Sequence, residues 1–350
     1  MTTSCWTTSV ARPLGQLLMP LLLAVAFSLG GCEKSVATTT LRGQTMGTYW
    51  QVKVAVTLDS GQQETLRTAV EKRLAEVNAA MSTYIPSSEI SQFNQSTSLE
   101  PREISADFAK VVARALQISA QTDGLYDITV MPLVNLWGFG YEKKGSQRPS
   151  AEALQAALAT VGVDKIQLEG QRLRKLNPRT SIDLSSIAKG FGVDAVAATV
   201  EGLGYGDYLV EIGGEVRAGG DKRGQGWQLG IETPLVQSQP STSLVIALRE
   251  KTSVATSGNY RNFIDYDGQW AVHTINPKTG QPQQSSLLSA TVVAEDCMSA
   301  DGYATALMIL GDKAEALARE QNLAVLLIYA DGERNFRLWR SPEFIKHFGD

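Results

Sequence analysis

Met298-Ser-Ala-Asp301-Gly-Tyr-Ala-Thr305-Ala-Leu307 sets a carboxylate and a hydroxyl four residues apart in an otherwise small and apolar stretch. On a helix that spacing brings both onto one face. An acid and an alcohol entering a core together need a polar partner, and a hard cation that takes oxygen ligands satisfies both. The structural alternative is a capping aspartate and a threonine bonded back onto its own helix.

Asp183-Leu-Ser-Ser-Ile-Ala-Lys-Gly-Phe-Gly-Val-Asp194 is the second candidate. It reads as a strand end at Asp183 leading into a helix whose opening turns hold Ser185, Ser186 and Lys189. Free N–H groups at such a helix start, with hydroxyls and a lysine nearby, suit a pyrophosphate. Read structurally, Ser185 is an N-cap and Lys189 a solvated charge. The third candidate is His273, one of two histidines with His347, in Ala271-Val-His-Thr-Ile-Asn-Pro277. A strand end entering a turn is a good place for a general base, although a lone histidine is more often structural. Tyr84, Tyr126, Trp137 and Phe139 offer flat surfaces to an aromatic ring system, or belong to the core.

Three tempting motifs fail. Gly202-Leu-Gly204-Tyr-Gly206 follows a helix and precedes a strand, the reverse of a dinucleotide-binding turn. Gly140 to Gly145 has P-loop spacing, but Ser146 stands where the lysine belongs. Ser186-Ile-Ala-Lys189, Ser257-Gly-Asn259 and Lys278-Thr-Gly280 come in the order used by penicillin-binding proteins and β-lactamases. Pro277 and Pro282 bracket the last triplet and make it a turn, whereas those enzymes need it on an edge strand.

The elements that must position these residues are read from periodicity. Thr48 to Leu58 alternates as a strand. Glu64 to Ala80 and Ala106 to Thr122 carry apolar residues at helical spacing, the second stopped by Asp123-Gly124. Gly138 to Ser150 is a polar loop and Ala151 to Thr160 a short helix. Beyond Val163 the chain is strand-rich, with strands at Lys165–Leu168, Tyr208–Ile212, Trp227–Ile231, Leu244–Leu248, Ser289–Val293 and Leu323–Tyr329. Helices are expected after Ser185, from about Met298 to Leu310 and from Asp312 to Gln321. Turns such as Asp267-Gly268 and Asp331-Gly332 predict an α+β protein with mostly antiparallel sheets flanked by helices.

Residues 1–31 hold one charged side chain, Arg12, and a leucine-rich stretch ending in Leu29-Gly30-Gly31-Cys32. That is the pattern of a secretory signal peptide, and Cys32 after Leu-Gly-Gly looks like a lipidation site. Pro20 interrupts a run barely long enough to span a membrane. A tether over 32–40 and one domain over 41–350 follow. The net charge of −4, with no basic block, argues against a nucleic-acid partner. With Cys5 removed and Cys32 lipidated, only Cys297 remains, so no internal disulfide is expected.

Taken together, these stretches resemble the ApbE family, the FAD:protein FMN transferases. The matching pieces are Met46-Gly-Thr48, Met81-Ser-Thr-Tyr84, Tyr126-Asp-Ile-Thr-Val130 with Leu133 to Gly138, and Asp183 to Gly190. They continue with Glu211-Ile-Gly-Gly214, Thr256-Ser-Gly258 with Tyr260-Arg261, His273 to Gly280, and Asp301 with Thr305-Ala-Leu307. The resemblance runs in order from about Leu41 to the C-terminus and absorbs the three serine-enzyme triplets. It implies an ApbE-like α+β fold and FAD as substrate, with Met46, Tyr84, Leu125, Tyr126, Asp127, Asp183, Lys189, His273 and Ile275 in flavin-binding segments. Asp301 and Thr305 match a metal pair, and Ser186 matches a third ligand given through its carbonyl, all suited to Mg²⁺.

The implied reaction is Mg²⁺-dependent transfer of FMN to a threonine on subunits of membrane redox pumps, with His273 as base and Asp301 holding the metal. A metal-dependent FAD pyrophosphatase and a non-catalytic FAD-binding lipoprotein are the alternatives. The expected location is the periplasmic face of the inner membrane, anchored through palmitate on Cys32. Glu33 stands after Cys32, where an aspartate would favour retention in that membrane.

Overall fold

The alternation of Trp50, Val52 and Val54 with polar neighbours makes a strand, and its apolar side needs a layer to cover it. A computed structural model describes residues 36–141, 148–232, 242–259, 263–266, 269–332 and 335–349. Along the first half run β1 (Thr39–Thr45), β2 (Thr48–Val54), α1 (Ser60–Met81), α2 (Glu89–Gln95), β3 (Arg102–Glu103), α3 (Ala106–Gln121), α4 (Met131–Leu136), α5 (Ala151–Leu158), β4 (Ile166–Glu169), β5 (Arg172–Lys175) and α6 (Ala188–Gly202). Then come β6 (Tyr208–Ile212), β7 (Glu215–Gly219), β8 (Trp227–Glu232), β9 (Thr242–Leu248), β10 (Thr252–Gly258), β11 (Phe263–Tyr266), β12 (Gln269–Val272) and β13 (Leu287–Ala294). The chain closes with α7 (Cys297–Leu310), α8 (Ala314–Glu320), β14 (Ala324–Asp331), β15 (Asn335–Arg340) and α9 (Pro342–Phe348).

Eight strands form the main sheet in the order β1-β2-β6-β7-β10-β13-β14-β15. Every described pairing is antiparallel, and the smaller sheets β3-β5-β4, β8-β9 and β11-β12 follow the same rule. The α+β expectation with antiparallel sheets therefore holds. Helices α6 and α7 pack on each other and against β6, β7, β10 and β13. Twelve residues of α7, from Cys297 to Ile309, are buried, so this helix is apolar on nearly all sides and lies inside the protein. Among the described residues no helix is long and apolar enough to cross a membrane.

Local signals account for most element ends. The first long helix starts earlier than its apolar spacing predicts because Asp59 and Gln62 form a reciprocal capping box. Gly311 ends α7 with a positive φ of 57°. Strand β1 begins at Thr39, inside the segment read as tether, and Met46-Gly47 turn it back into β2 with φ of 49° and 71°. Gly202 to Gly206 does sit between α6 and β6. Cys32, the Gly145-Ser146 step, Tyr260-Arg261 and Asp267-Gly268 lie outside the described residues, as do residues 142–147 of the predicted polar loop.

Two readings are corrected. No strand ends at Asp183: residues 181–184 are irregular and 185–187 form a turn, so Ser185 and Ser186 precede α6 instead of opening it. Seven-residue α2 has no counterpart in the sequence reading. With Ile90 and Phe93 as its apolar anchors it is too short for a periodic signal, and the capping Ser88 nucleates it.

Candidate functional site

One cavity of about 820 Å³ gathers residues from every segment singled out above. Met46, Tyr84, Leu125, Tyr126, Asp127, Asp183, Ser186, Lys189, His273, Ile275, Asp301 and Thr305 all line it. Met46 arrives on the β1–β2 turn, Tyr84 after α1, and Leu125 to Asp127 between α3 and α4. The α6 approach brings Asp183, Ser186 and Lys189, while β12 runs into His273 and α7 presents Asp301 and Thr305.

The floor is polar and buried. Asp301, 2% exposed, accepts the Gly190 N–H at 2.9 Å through Oδ2. A Cβ on Gly190 would collide with the Cys297 carbonyl and with Asp301 Cβ, so glycine is what allows α6 and α7 to approach here. The bond also alters the reading of the α6 start as a row of free donors. Ile187 and Ala188 give their N–H groups to the Leu184 carbonyl at 3.0 and 2.8 Å, and Gly190 serves Asp301. Those three donors of the helix start are therefore already taken.

Lys189 Nζ lies 2.5 Å from Glu215 Oε1. Burial by itself would push that ammonium down, but Asp301 and Glu215 together carry its pKa above the ordinary lysine value. Burial raises Asp301 from the usual carboxylate range, opposed by Lys189 and the Gly190 N–H. It also raises Glu215 to about 7, against the pull of Lys189. Around the floor, Thr305 Oγ1 is 3.2 Å from Ser257 Oγ, and the Tyr126 hydroxyl is 2.8 Å from Ser186 Oγ. The Ser186 side chain is thus engaged with Tyr126. Asp183 Oδ1 accepts the Ser185 N–H at 2.7 Å, and Asp127 Oδ1 accepts from Thr129 N–H and Oγ1 at 2.7 and 2.6 Å. Burial raises the pKa of both acids.

The rim is aromatic. Tyr84 is 72% exposed, a large ring left open at the cavity wall. Phe139 also lines the cavity and meets His273 edge-on at 6.3 Å. Trp137 is core: its Nε1–H donates to the Gly280 carbonyl at 2.7 Å and its ring stands edge-on to Tyr266. Lys278-Thr279-Gly280 is the predicted turn, with the Lys278 and Thr279 N–H groups donating to Asn276 Oδ1.

Sequence reading missed Glu215, and it named Ser257 only within a family-matching segment, with no role of its own. Glu215 is 3% exposed at the head of β7, set there by Gly213-Gly214 with φ of 60° and 107°. An acid directly after a glycine pair and before an apolar strand was its one signal. Among the described residues no group of three or more His, Cys, Asp or Glu could hold a metal. On one face of α7 the floor offers the Asp301 carboxylate and the Thr305 hydroxyl, donors that fit a hard cation completing its shell with phosphate and water oxygens.

A cavity with a buried acid and lysine at its floor and aromatic rings at its rim, on an antiparallel α+β scaffold, is the candidate ligand site of this protein. A sequence model of the ApbE family matches residues 46–327, and the chain belongs to that family. It is 46% identical over 317 residues to a FAD:protein FMN transferase of Haemophilus influenzae, covering 87% of this chain and 90% of the relative. Its fold matches the flavin transferase ApbE of Vibrio cholerae with a TM-score of 0.81 at 38% identity, over 89% of this chain and 99% of the other. The apo form of the Pseudomonas stutzeri flavinyl transferase ApbE matches with the same TM-score at 35% identity, over 90% and 98%.

Proposed function

We propose that this chain is a FAD:protein FMN transferase, which binds FAD in the 820 Å³ cavity and moves FMN onto a threonine hydroxyl of other proteins, releasing AMP. The observation that carries this is the meeting of α6 and α7 at Gly190, which sets Asp301, Thr305 and Lys189 around one polar floor beneath an aromatic rim.

Asp301, Thr305 and the Ser186 carbonyl would hold Mg²⁺, which when bound offsets charge on the diphosphate and on the departing AMP. Lys189 is a fixed cation for the diphosphate oxygens. Tyr84 and Phe139 supply ring faces for the flavin. His273 takes the proton from the acceptor hydroxyl as that oxygen attacks the FMN phosphorus. One P–O bond forms to threonine, the diphosphate P–O bond breaks, and AMP leaves with the electron pair. Met46, Leu125, Asp127, Asp183 and Ile275 shape the walls that exclude water and fix the angle of attack. Threonine-bearing subunits of membrane redox pumps are the proposed acceptors. The signal-like start and Cys32 support a lipid-anchored protein at the periplasmic face of the inner membrane.

A soluble form beginning after Cys32, mixed with FAD, Mg²⁺ and a threonine-bearing acceptor domain, tests the activity. Flavin fluorescence on the denatured acceptor is the expected result. AMP release with a dark acceptor would make the protein a pyrophosphatase. Tight FAD binding that survives Asp301→Ala, with no turnover, would make it a flavin carrier. Loss of palmitate labelling in Cys32→Ser tests the anchor.

A further inference from the structure

Asp183 stands on backbone that belongs to no strand or helix. Such a segment at a cavity wall still needs partners for its N–H and C=O groups. Asn94 supplies them. The Ile182 N–H donates to Asn94 Oδ1 at 2.8 Å, and Asn94 Nδ2 donates to the Ile182 carbonyl at 2.8 Å. One side-chain amide does for Ile182 what a neighbouring strand would otherwise do. One residue on, the Asp183 N–H donates to the Ile128 carbonyl at 2.7 Å.

Asn94 sits in the last turn of α2, and its own carbonyl accepts from buried Lys175 Nζ at 3.0 Å. The opposite end of α2 grips the other wall. Its N-cap Ser88 donates through Oγ to the Ser82 carbonyl at 2.7 Å, and Ser91 Oγ adds longer bonds of 3.4 Å to the carbonyls of Ser82 and Thr83. Thr83, Tyr84 and Asp183 all line the cavity. The short helix is therefore a strut between two walls, bedded in the core by Ile90 and Phe93.

We propose that Asn94 is a positioning residue: through α2 it fixes the Asp183 wall relative to the Thr83–Tyr84 wall, and so sets the span open to a ligand that touches both. This rests on the cavity binding FAD, a ligand with a ring system at each end of its diphosphate. ADP, which carries the diphosphate without the flavin, is the control that does not sense the span.

Binding of FAD and of ADP is measured by calorimetry at fixed Mg²⁺ for the wild type, Asn94→Ala and Asn94→Asp, with hydrogen exchange followed in the same proteins. Asn94→Ala is expected to weaken FAD about tenfold and ADP less than twofold, and to speed exchange around Ile182 while α7 stays protected. Asn94→Asp keeps the acceptor for the Ile182 N–H but turns a carboxylate on the Ile182 carbonyl. Its FAD affinity should recover as pH falls through the carboxylate range and the protonated acid regains a donor. Ser91→Ala, at the far end of the strut, gives a smaller loss with the same preference for FAD over ADP. Equal weakening of both ligands, or wild-type FAD affinity in Asn94→Ala, overturns the proposal. A wild type that binds ADP but not FAD overturns the functional reading and this one together.

Discussion

The Lys189 ammonium and the Glu215 carboxylate meet at 2.5 Å at the wall of the cavity, one from the first turn of α6 and the other from the head of β7. The second oxygen of Glu215 is buried with no hydrogen-bond partner among the described residues. Lys189 thus opposes, without cancelling, the cost of burying this acid's charge.

That relationship has a sign in pH. Burial pushes the folded pKa of Glu215 up to about 7, above the ordinary glutamate value of 4.5. A group raised on folding contributes stability that is present below its unfolded pKa and lost as pH climbs through the folded one. Between pH 4.5 and 7 the wild type should lose stability relative to Glu215→Gln, which has no proton to release there. Chemical denaturation of both proteins at several pH values in this window gives the slope. Parallel curves would mean that Glu215 does not titrate as described.

Removing the floor acid should stop the chemistry and spare the fold. Asp301→Asn keeps an oxygen for the Gly190 N–H but lacks the charge a cation needs. Turnover should fall by roughly 100- to 1,000-fold, the size seen when one electrostatic stabiliser is lost. The rise in melting temperature on adding Mg²⁺ with FAD should vanish as well. A variant that still shows that rise would remove Asp301 from the metal site.

His273→Ala separates binding from transfer. With its base gone, FMN transfer should slow by roughly 100- to 10,000-fold. FAD affinity should change little, because the other walls remain. Single-turnover kinetics with saturating FAD reads the transfer step directly. An unchanged rate would assign the proton to another group.

Gly190→Ala tests the α6–α7 contact. The added methyl must push against the Cys297 carbonyl and Asp301 Cβ in a packed interior. A loss of about 1–3 kcal/mol is expected from overpacking, together with weaker Mg²⁺ affinity as Asp301 moves. Urea denaturation and metal titration measure the two effects. Wild-type behaviour in both would show that the helices have room to part.

Much of this protein was written locally. The four-residue step from Asp301 to Thr305 inside an apolar run was enough to place an acid and an alcohol on one face of a buried helix. Apolar spacing found α1 and α3, and the order of strands and turns in the second half found an antiparallel sheet, because periodicity and turn chemistry act between near neighbours. What lies between distant segments was not legible. The Gly190 N–H serves Asp301, Glu215 clasps Lys189, and Asn94 stands in for a strand beside Ile182. Each of these partners is chosen by how α6, α7, α2 and the sheet pack, and no spacing along one segment encodes a contact made across the fold. The residue types announced the chemistry; only the tertiary packing decided which backbone donors were already taken, and so which side chains face a ligand.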